Sequence, residues 1–242
     1  MDQQLPHKPR IMGDFPRVYP IIDTAHLEAV GVGVVDYARG IAEAGMRIAQ
    51  YRHKGAFTRS RYEEAAEVGA VLRASGACYI VNDRADIAMA LGADGVHVGQ
   101  EDLPVRLVRR LVGDSMIVGF STHGAAQLAS PECRSADYLA IGPVFGTVSK
   151  RNPDPVVGPE GVRLARALTP RPLVGIGGID LSNALDVFAS GADCVSVISS
   201  ARLANLGRWA ALERQGPSRE PRSASRMGIL AEDGCPPPPG ST

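Results

Sequence analysis

Charged and amide side chains cluster directly after short apolar runs of this 242-residue chain. Lysine is scarce, since the sequence contains only Lys8, Lys54 and Lys150, and the last two fall in such segments. Together with Arg52 they would place fixed positive charge where a polyphosphate ligand could bind. The alternative is that these residues are solvated loop charges without a ligand.

Two aspartates follow neighbouring apolar runs, Asp83 after the third and Asp102 after the fourth. Each could be the N-cap of the helix that follows, and Asp102 stands two residues before Pro104, which suits a cap. Beside Arg52 and Lys54, the pair makes a better Mg²⁺ site, because this ion takes one or two carboxylates plus phosphate and water. One carboxylate can serve both roles.

Glycines and a serine after the last two runs form a second candidate site. Gly177-Gly178 follows the seventh run and Ser199 follows the eighth. Backbone N–H groups at a helix start could bind a phosphomonoester there. A tight strand-to-helix turn would use the same glycines.

The histidines are less informative about catalysis. His97 lies between Val96 and Val98 within an apolar run, which favours a packing position inside the fold. His123 ends a run and could be a base, but the sequence shows no carboxylate paired with it. Since no Ser/His/Asp or Cys/His arrangement of known spacing occurs, nucleophilic catalysis is not predicted.

Eight short apolar runs alternate with amphipathic helical segments and must position these side chains. The runs cover residues 18–22, 46–51, 77–81, 95–98, 116–120, 137–141, 172–176 and 194–198. Continuous apolar runs are typical of strands buried on both faces, and intervening helices predict parallel crossovers. Eight such units favour a single-domain α/β fold, the (β/α)8 or TIM barrel, whose loops after the strands carry the chemistry. An open doubly wound sheet is the alternative, but no G-x-G-x-x-G turn follows the first run.

Two of the linking segments show apolar stripes at helical spacing. In the first, the residues predicted to be buried are Val105, Leu107, Val108, Leu111 and Val112. In the second, they are Leu185, Val187 and Phe188.

Composition separates the barrel from two irregular ends. Residues 1–17 are predicted to form an irregular arm and residues 18–213 the catalytic barrel. The Pro-, Gly- and Ser-rich residues 214–242 are predicted to form a disordered tail, because they cannot bury enough apolar area to offset their ordering entropy.

Charge, hydropathy and cysteine usage limit the partners and the location. The 26 basic and 26 acidic residues cancel, which argues against nucleic acid as a partner. No apolar stretch suits a signal peptide or a membrane span, and four scattered cysteines are typical of free thiols. We therefore expect a cytoplasmic protein with small-molecule partners, and a homo-oligomer stays open.

Six segments, taken in order, resemble the thiamine phosphate synthase family. They are residues 50–54, 81–84, 95–102, 119–123, 142–150 and 175–179, which read QYRHK, VNDR, GVHVGQED, GFSTH, GPVFGTVSK and GIGGI. Any one of them is a weak signal, but six in sequence are specific, and the match runs from about Tyr19 to Leu203.

The resemblance implies a Mg²⁺-dependent transferase of thiamine biosynthesis. It would join hydroxymethylpyrimidine pyrophosphate to hydroxyethylthiazole phosphate and release pyrophosphate. By resemblance, the residues that bind the pyrimidine pyrophosphate are Gln50, Arg52, Lys54, Asn82, Ser121 and Lys150. Those for the thiazole substrate and its phosphate are Thr147, Ser149, Gly178, Ile198 and Ser199. Mg²⁺ would be held by Asp83 and Asp102, and the catalytic groups would be Arg52, Lys54, Lys150 and Ser121.

Two other functions are compatible with the same barrel. A thiazole tautomerase would depend on a histidine such as His123 and would need no pyrophosphate site, whereas a non-catalytic barrel would only bind a phosphate ligand. The Asp83/Asp102 pair favours the synthase. The sequence departs from the family pattern at Gly146, usually proline, at Tyr51, commonly aliphatic, and through prolines in the loop 151–158.

Overall fold

The strands of the protein close into a barrel. The computed structural model describes residues 10–147 and 154–215. The strands are β1 (Val18–Asp23), β2 (Ile48–Arg52), β3 (Cys78–Asn82), β4 (Gly95–Val98), β5 (Ile117–Thr122), β6 (Tyr138–Ile141), β7 (Leu173–Ile176) and β8 (Cys194–Val197). They pair in chain order, and β8 returns to pair in parallel with β1. The predicted (β/α)8 barrel is therefore confirmed.

Helices follow the strands and cover the outside of the barrel. They are α1 (Thr24–Ala29), α2 (Val34–Glu43), α3 (Arg59–Ala74), α4 (Ala85–Ala90), α5 (Val105–Val112), α6 (Ala125–Leu128), α7 (Gly158–Leu168), α8 (Ala184–Ala189) and α9 (Leu206–Arg214). Short 3-10 turns span Arg10–Met12, Pro131–Ser135 and Leu203–Asn205. Within the described residues, no helix is both long and apolar enough to cross a membrane.

The strands are apolar throughout because both of their faces are buried. One face packs against the helices in a large apolar cluster. The other fills the barrel interior with a smaller cluster of Tyr19, Ile48, Cys78, Ile80, Ile117, Tyr138, Ala140, Val174 and Cys194. Alternation of side chains along each strand divides the residues between these two clusters.

The helical stripes predicted from the sequence are wider than the faces that contact the barrel. On α5, Val105, Val108 and Val112 are buried, but Leu111 is 55% exposed. On α8, Val187 is buried, but Leu185 is 59% exposed. The prediction that both leucines are buried is wrong. At roughly 100° per residue, Leu185 points about 160° away from Val187, and Leu111 points about 90° away from the mean direction of the three buried valines of α5.

The predicted arm is partly ordered against the barrel. Ile11, Met12 and Phe15 pack on the interior cluster, and the Phe15 ring centroid lies 5.3 Å from that of Tyr138. At the other end, α9 continues to Arg214, one residue past the predicted barrel limit. Residues 1–9 and 216–242 lie outside the described residues, so the domain boundaries and the disordered tail stay predictions.

Candidate active site

The carboxyl ends of the strands surround a cavity of about 440 Å³, a usual volume for a small-molecule site. Every predicted site residue within the described part of the chain lines this cavity: Gln50, Arg52, Lys54, Asn82, Asp83, Asp102, Ser121, Thr147, Gly178, Ile198 and Ser199. The other two, Ser149 and Lys150, lie outside the described residues. The strand order of the barrel thus brings together loops that are far apart in the sequence.

Arg52 is held in place by a carboxylate at the end of β1. The Arg52 guanidinium donates to Asp23 Oδ2. The other oxygen of Asp23 accepts from the His26 backbone N–H at 2.9 Å and so caps α1. Because Asp23 is buried, it fixes the position of a cation at the mouth of the barrel.

Asp83 and Asp102 lie side by side, and neither caps a helix. Lys54 Nζ donates to Asp83 Oδ2 at 2.5 Å, and Asp102 Oδ2 accepts from the Gly99 backbone N–H at 2.7 Å. The N-caps of α4 and α5 are Arg84 and Pro104. The alternative that these aspartates are N-caps is therefore wrong for both.

The electrostatics of this carboxylate pair suit a divalent cation. Burial, together with the neighbouring Asp102, raises the pKa of Asp83 to about 6, although Lys54 acts in the opposite direction. Asp83 also has a φ of 61°, a left-handed conformation that is uncommon outside glycine and is concentrated at functional sites. A positive ion between the two carboxylates would relieve their repulsion.

The number and type of the ligating side chains indicate which cation this pair of carboxylates could hold. Within residues 10–147 and 154–215, no group of three or more His, Cys, Asp or Glu side chains is placed to hold a metal. Two carboxylates with the remaining positions open to phosphate and water are what Mg²⁺ commonly uses, whereas structural Zn²⁺ needs four protein ligands. The residues present fit Mg²⁺.

Asn82 and His97 line the floor of the cavity. Asn82 is buried, and its Nδ2 has no hydrogen-bond partner among the described residues, so it can donate to a ligand. His97 is buried as predicted, between the hydroxyl groups of Tyr138 and Ser121. Burial lowers the pKa of His97 to about 4, so the ring is neutral at physiological pH.

The opposite wall of the cavity is made of turns. Gly177 and Gly178 have φ of 97° and 64°, and a Cβ at Gly178 would lie 2.4 Å from the Gly146 carbonyl oxygen. The expected helix start is not there, because α8 begins only at Ala184 and the short 3-10 helix after β8 only at Leu203. Any phosphate bound here would meet N–H groups of loops rather than of a helix N-terminus.

His123 has a carboxylate neighbour that the sequence did not indicate. Its Nδ1 lies 2.7 Å from the Gly142 carbonyl oxygen, and its Nε2 lies 3.4 Å from Asp154 Oδ2. The carboxylate partner that the sequence did not show for His123 is therefore Asp154. The two residues come from different loops, and only the closed barrel brings them together.

The departures from the family pattern leave the described part of the cavity intact. Tyr51 points outward, where its hydroxyl donates to Glu64 Oε1 at 2.8 Å. A Cβ at Gly146 would meet none of the described atoms within 4 Å. Pro153 lies outside the described residues.

Sequence reasoning missed four residues that contribute to the site. Asp23 directly follows the first apolar run, so the rule applied to the other runs would have found it. No feature of the sequence indicated that Asp154 belongs to the site. Tyr19 and Tyr138 are inside apolar runs, and only the structure shows that both line the cavity.

Comparison with known proteins shows the family of the chain. A family model described as thiamine monophosphate synthase matches residues 18–201, more than half of the chain. The chain belongs to this family. The thiamine-phosphate synthase of Koribacter versatilis is 43% identical over 186 residues, which cover 76% of this chain and 88% of the relative. That of Chloroflexus aurantiacus is 43% identical over 166 residues, covering 67% and 76%.

Solved structures of the thiamine monophosphate synthase family share the barrel. Thiamine phosphate pyrophosphorylase from Pyrococcus furiosus aligns with a TM-score of 0.70 at 33% identity, covering 82% of this chain and 93% of that one. The protein of the same name from Bacteroides thetaiotaomicron, with a TM-score of 0.54 and 13% identity, shows the fold alone. Membership confirms the predicted resemblance and the predicted class of activity, a transferase of the thiamine-phosphate synthase type.

Proposed function

We propose that this cavity condenses 4-amino-2-methyl-5-hydroxymethylpyrimidine pyrophosphate with 4-methyl-5-(2-hydroxyethyl)thiazole phosphate, giving thiamine phosphate and pyrophosphate. One observation carries the proposal: a single cavity has two unlike walls. Arg52, Lys54 and the Asp83/Asp102 pair form a wall that carries both cations and anions, whereas the wall around Gly178 and Ser199 has no Lys or Arg among the described lining residues, although it includes Asp180. The first suits a pyrophosphate with a metal, and the second suits a monophosphate bound by backbone N–H groups.

Asp83 and Asp102 would hold Mg²⁺, which when bound supplies positive charge to a pyrophosphate leaving group. The adjacent carboxylates, the raised pKa of Asp83 and the Lys54 contact support this assignment. Without the metal, Lys54 partly neutralises the Asp83 carboxylate. Bound Mg²⁺ would neutralise that carboxylate instead, so Lys54 would be free to turn to the substrate.

The chain's own groups stabilise the breaking bond. The exocyclic CH₂–O bond of the pyrimidine substrate breaks, and its electron pair leaves with pyrophosphate. Arg52, Lys54 and, by resemblance, Lys150 neutralise the developing negative charge, and the Ser121 hydroxyl donates a hydrogen bond to it. The thiazole nitrogen then gives its lone pair to the methylene carbon and forms the C–N bond. That nitrogen carries no proton, so the step requires no protein base, and holding both substrates in one cavity supplies proximity.

Turnover tests the proposal directly. The purified full-length chain is mixed with both substrates and Mg²⁺, and thiamine phosphate is followed by oxidation to the fluorescent thiochrome. We expect product that depends on both substrates and disappears with a chelator. Fluorescence no higher than that of the chelator-treated sample would contradict the synthase function.

The His123/Asp154 pair favours a second candidate, a thiazole tautomerase, because a carboxylate-paired imidazole can move a proton. This activity would need no pyrimidine substrate. It is tested by following isomerisation of the thiazole substrate alone. His123→Gln should abolish isomerisation and leave condensation unchanged if the two activities coexist.

The proposed partners are these two small molecules, without nucleic acid or membrane. The proposed location is the cytoplasm, because Cys78, Cys133 and Cys194 are free thiols and buried. Sedimentation of the purified chain measures whether it forms a homo-oligomer.

A further inference from the structure

A line of hydrogen-bonded side chains crosses the barrel interior and joins two of the predicted substrate-binding residues. Gln50 Nε2 donates to the Tyr19 hydroxyl at 2.9 Å, which lies 3.0 Å from the Tyr138 hydroxyl. The Tyr138 hydroxyl lies 2.9 Å from His97 Nδ1, and His97 Nε2 lies 2.8 Å from Ser121 Oγ. We call these five residues the buried polar chain.

The fold is built around this chain. The Tyr138 and His97 rings stack with centroids 5.4 Å apart. A Cβ at Gly119, on the strand between them, would lie 2.2 Å from Tyr138 Cζ and 2.4 Å from His97 Nδ1. Only glycine therefore leaves room for the pair. Gln50, Tyr19 and Tyr138 are at most 2% exposed, so water does not compete for these hydrogen bonds.

One direction of the hydrogen bonds in the buried polar chain, starting from the Gln50 amide nitrogen, gives every hydrogen a partner. The Gln50 amide nitrogen can only donate, so the Tyr19 hydroxyl accepts from it, and the single hydrogen of Tyr19 has a partner among the described residues only if it is given to Tyr138. Tyr138 in turn gives its hydrogen to His97 Nδ1. A neutral His97 then carries its proton on Nε2 and donates to Ser121 Oγ, which leaves the Ser121 hydrogen for the cavity.

Reversing one member of the chain is costly. If Tyr138 donated to Tyr19 instead, the Tyr19 hydrogen would have no partner among the described residues, and an unmatched buried donor is expensive. A fully paired chain in the opposite direction therefore requires the Gln50 amide to turn over, both tyrosine hydroxyls to reverse and the His97 proton to move to Nδ1, all together.

This direction determines what the cavity offers a ligand. Among the described residues, Gln50 Oε1 accepts no hydrogen bond, and Gln50 lines the cavity, so this oxygen is available as an acceptor. Gln50 lies two residues before Arg52 on β2, roughly 7 Å deeper on the same face. If Arg52 binds the pyrophosphate, Gln50 meets the ring that carries it.

We propose that Tyr19, Tyr138 and His97 are positioning residues that hold Gln50 as a hydrogen-bond acceptor, and that this makes the site selective for an amino-substituted pyrimidine over its oxo analogue. The amino group donates to Gln50 Oε1, whereas an oxo group would place oxygen against oxygen. The inference rests on the proposed function for the identity of the substrate. The direction of the buried polar chain does not depend on it.

The first test measures that direction without substrate. Nitrogen-15 NMR of the full chain, labelled at its five histidines, distinguishes the two neutral tautomers, and the His97 signals are those missing from His97→Gln. We expect the proton on Nε2 in the wild type and a mixture of tautomers in Tyr138→Phe. A wild-type proton on Nδ1 would overturn the inference whether or not the enzyme makes thiamine phosphate.

The second test measures selectivity. kcat/KM is compared for the amino and oxo pyrimidine pyrophosphates in the wild type, in Tyr19→Phe and in Tyr79→Phe. The last is the matched control, because Tyr79 is equally buried but donates to the Ala65 carbonyl oxygen at 2.8 Å, outside the chain. Tyr19→Phe should lower the preference for the amino substrate by about tenfold or more, since Gln50 can then turn over. Tyr79→Phe should keep the wild-type ratio.

The outcomes separate the inference from the proposed function. Intrinsic reactivity of the two substrates cancels when ratios are compared between variants. An unchanged ratio in a folded Tyr19→Phe protein would overturn the inference alone, and Tyr138→Phe interrupts the same chain if Tyr19→Phe does not fold. No product from the wild type with the amino substrate would contradict the proposed function, leaving the tautomer measurement to decide the direction of the chain.

Discussion

The two ends of the barrel use carboxylates in opposite ways. At the amino end, the carboxylates that directly precede β4, β6 and β8 are matched by groups of the protein itself. Asp94, Asp137 and Asp193 each stand directly before an even-numbered strand and accept a backbone N–H of the preceding strand at 2.8–2.9 Å. At the carboxyl end, Asp83 and Asp102 lie beside each other and line the cavity, and Lys54 contacts Asp83.

The aspartates at the amino end have all of these partners within the protein. Each of the three aspartates also donates its own N–H to the carbonyl of the residue that it accepts from. Arg109 and Arg166 bind Asp137 and Asp193 at 2.5 and 2.7 Å. Glu213 of α9 does the same for β1, accepting from the Val18 N–H at 2.8 Å and from Arg47 at 2.7 Å. A carboxylate thus stabilises the fold where its charge is matched, and is available to a ligand where it is not.

Removing the carboxylate pair at the mouth, where two negative charges lie beside one lysine, gives the largest expected effect. Asp83→Asn with Asp102→Asn should lower kcat/KM by about a thousandfold or more, because the metal loses its protein ligands. The free energy of unfolding of the metal-free protein should not fall, since two repelling charges are gone. Thiochrome turnover and urea unfolding measure the two quantities. Unchanged turnover would show that the carboxylates do not serve catalysis.

Removing a matched carboxylate at the amino end should lower the unfolding free energy and leave turnover unchanged. Asp137→Ala leaves the Arg109 guanidinium and the Val118 N–H without this partner, which should cost about 3 kcal/mol of unfolding free energy while kcat per folded molecule is unchanged. Urea denaturation measures the loss. Asp36→Ala is the control, because Asp36 is 68% exposed and its 2.8 Å contact with Arg39 should contribute less than about 1 kcal/mol. Equal effects of the two variants would contradict the comparison.

Asp23 is an intermediate case, a matched carboxylate at the mouth. Asp23→Asn should keep the cap of α1, because asparagine caps as well as aspartate, but it releases the Arg52 guanidinium. We expect KM for the pyrimidine pyrophosphate to rise about tenfold, with a smaller change in kcat. Steady-state kinetics at saturating thiazole phosphate test this. A fall in kcat at constant KM would show that Asp23 acts on the reaction step instead.

The smallest effect is stabilisation by the metal alone. Mg²⁺ at ten times its dissociation constant should raise the unfolding free energy by about 1.4 kcal/mol, because it binds only the folded mouth. Thermal or urea unfolding with and without Mg²⁺, at constant ionic strength, measures the shift. The double asparagine variant should show none, and an equal shift there would place the ion elsewhere.

Part of this contrast could be found in the sequence. Ala93-Asp94, Ala136-Asp137 and Ala192-Asp193 repeat the same dipeptide immediately before β4, β6 and β8. The repeat predicts a common structural role, although its partners, backbone groups of the preceding strands, have no signature. Asp83 and Asp102 instead follow strands. In the sequence, only this position, after a strand rather than before one, distinguishes them from the aspartates of the repeat.

The sequence by itself determined the eight strands, their order and the polar residues at their ends. Buried parallel strands require continuous apolar runs, and closure of a parallel barrel places all carboxyl ends at one mouth. Only the tertiary structure decided which charges are matched, that His123 meets Asp154, and that Tyr19, Tyr138 and His97 share one line of hydrogen bonds. These contacts join residues far apart in the chain, and they depend on side-chain directions that local periodicity does not specify.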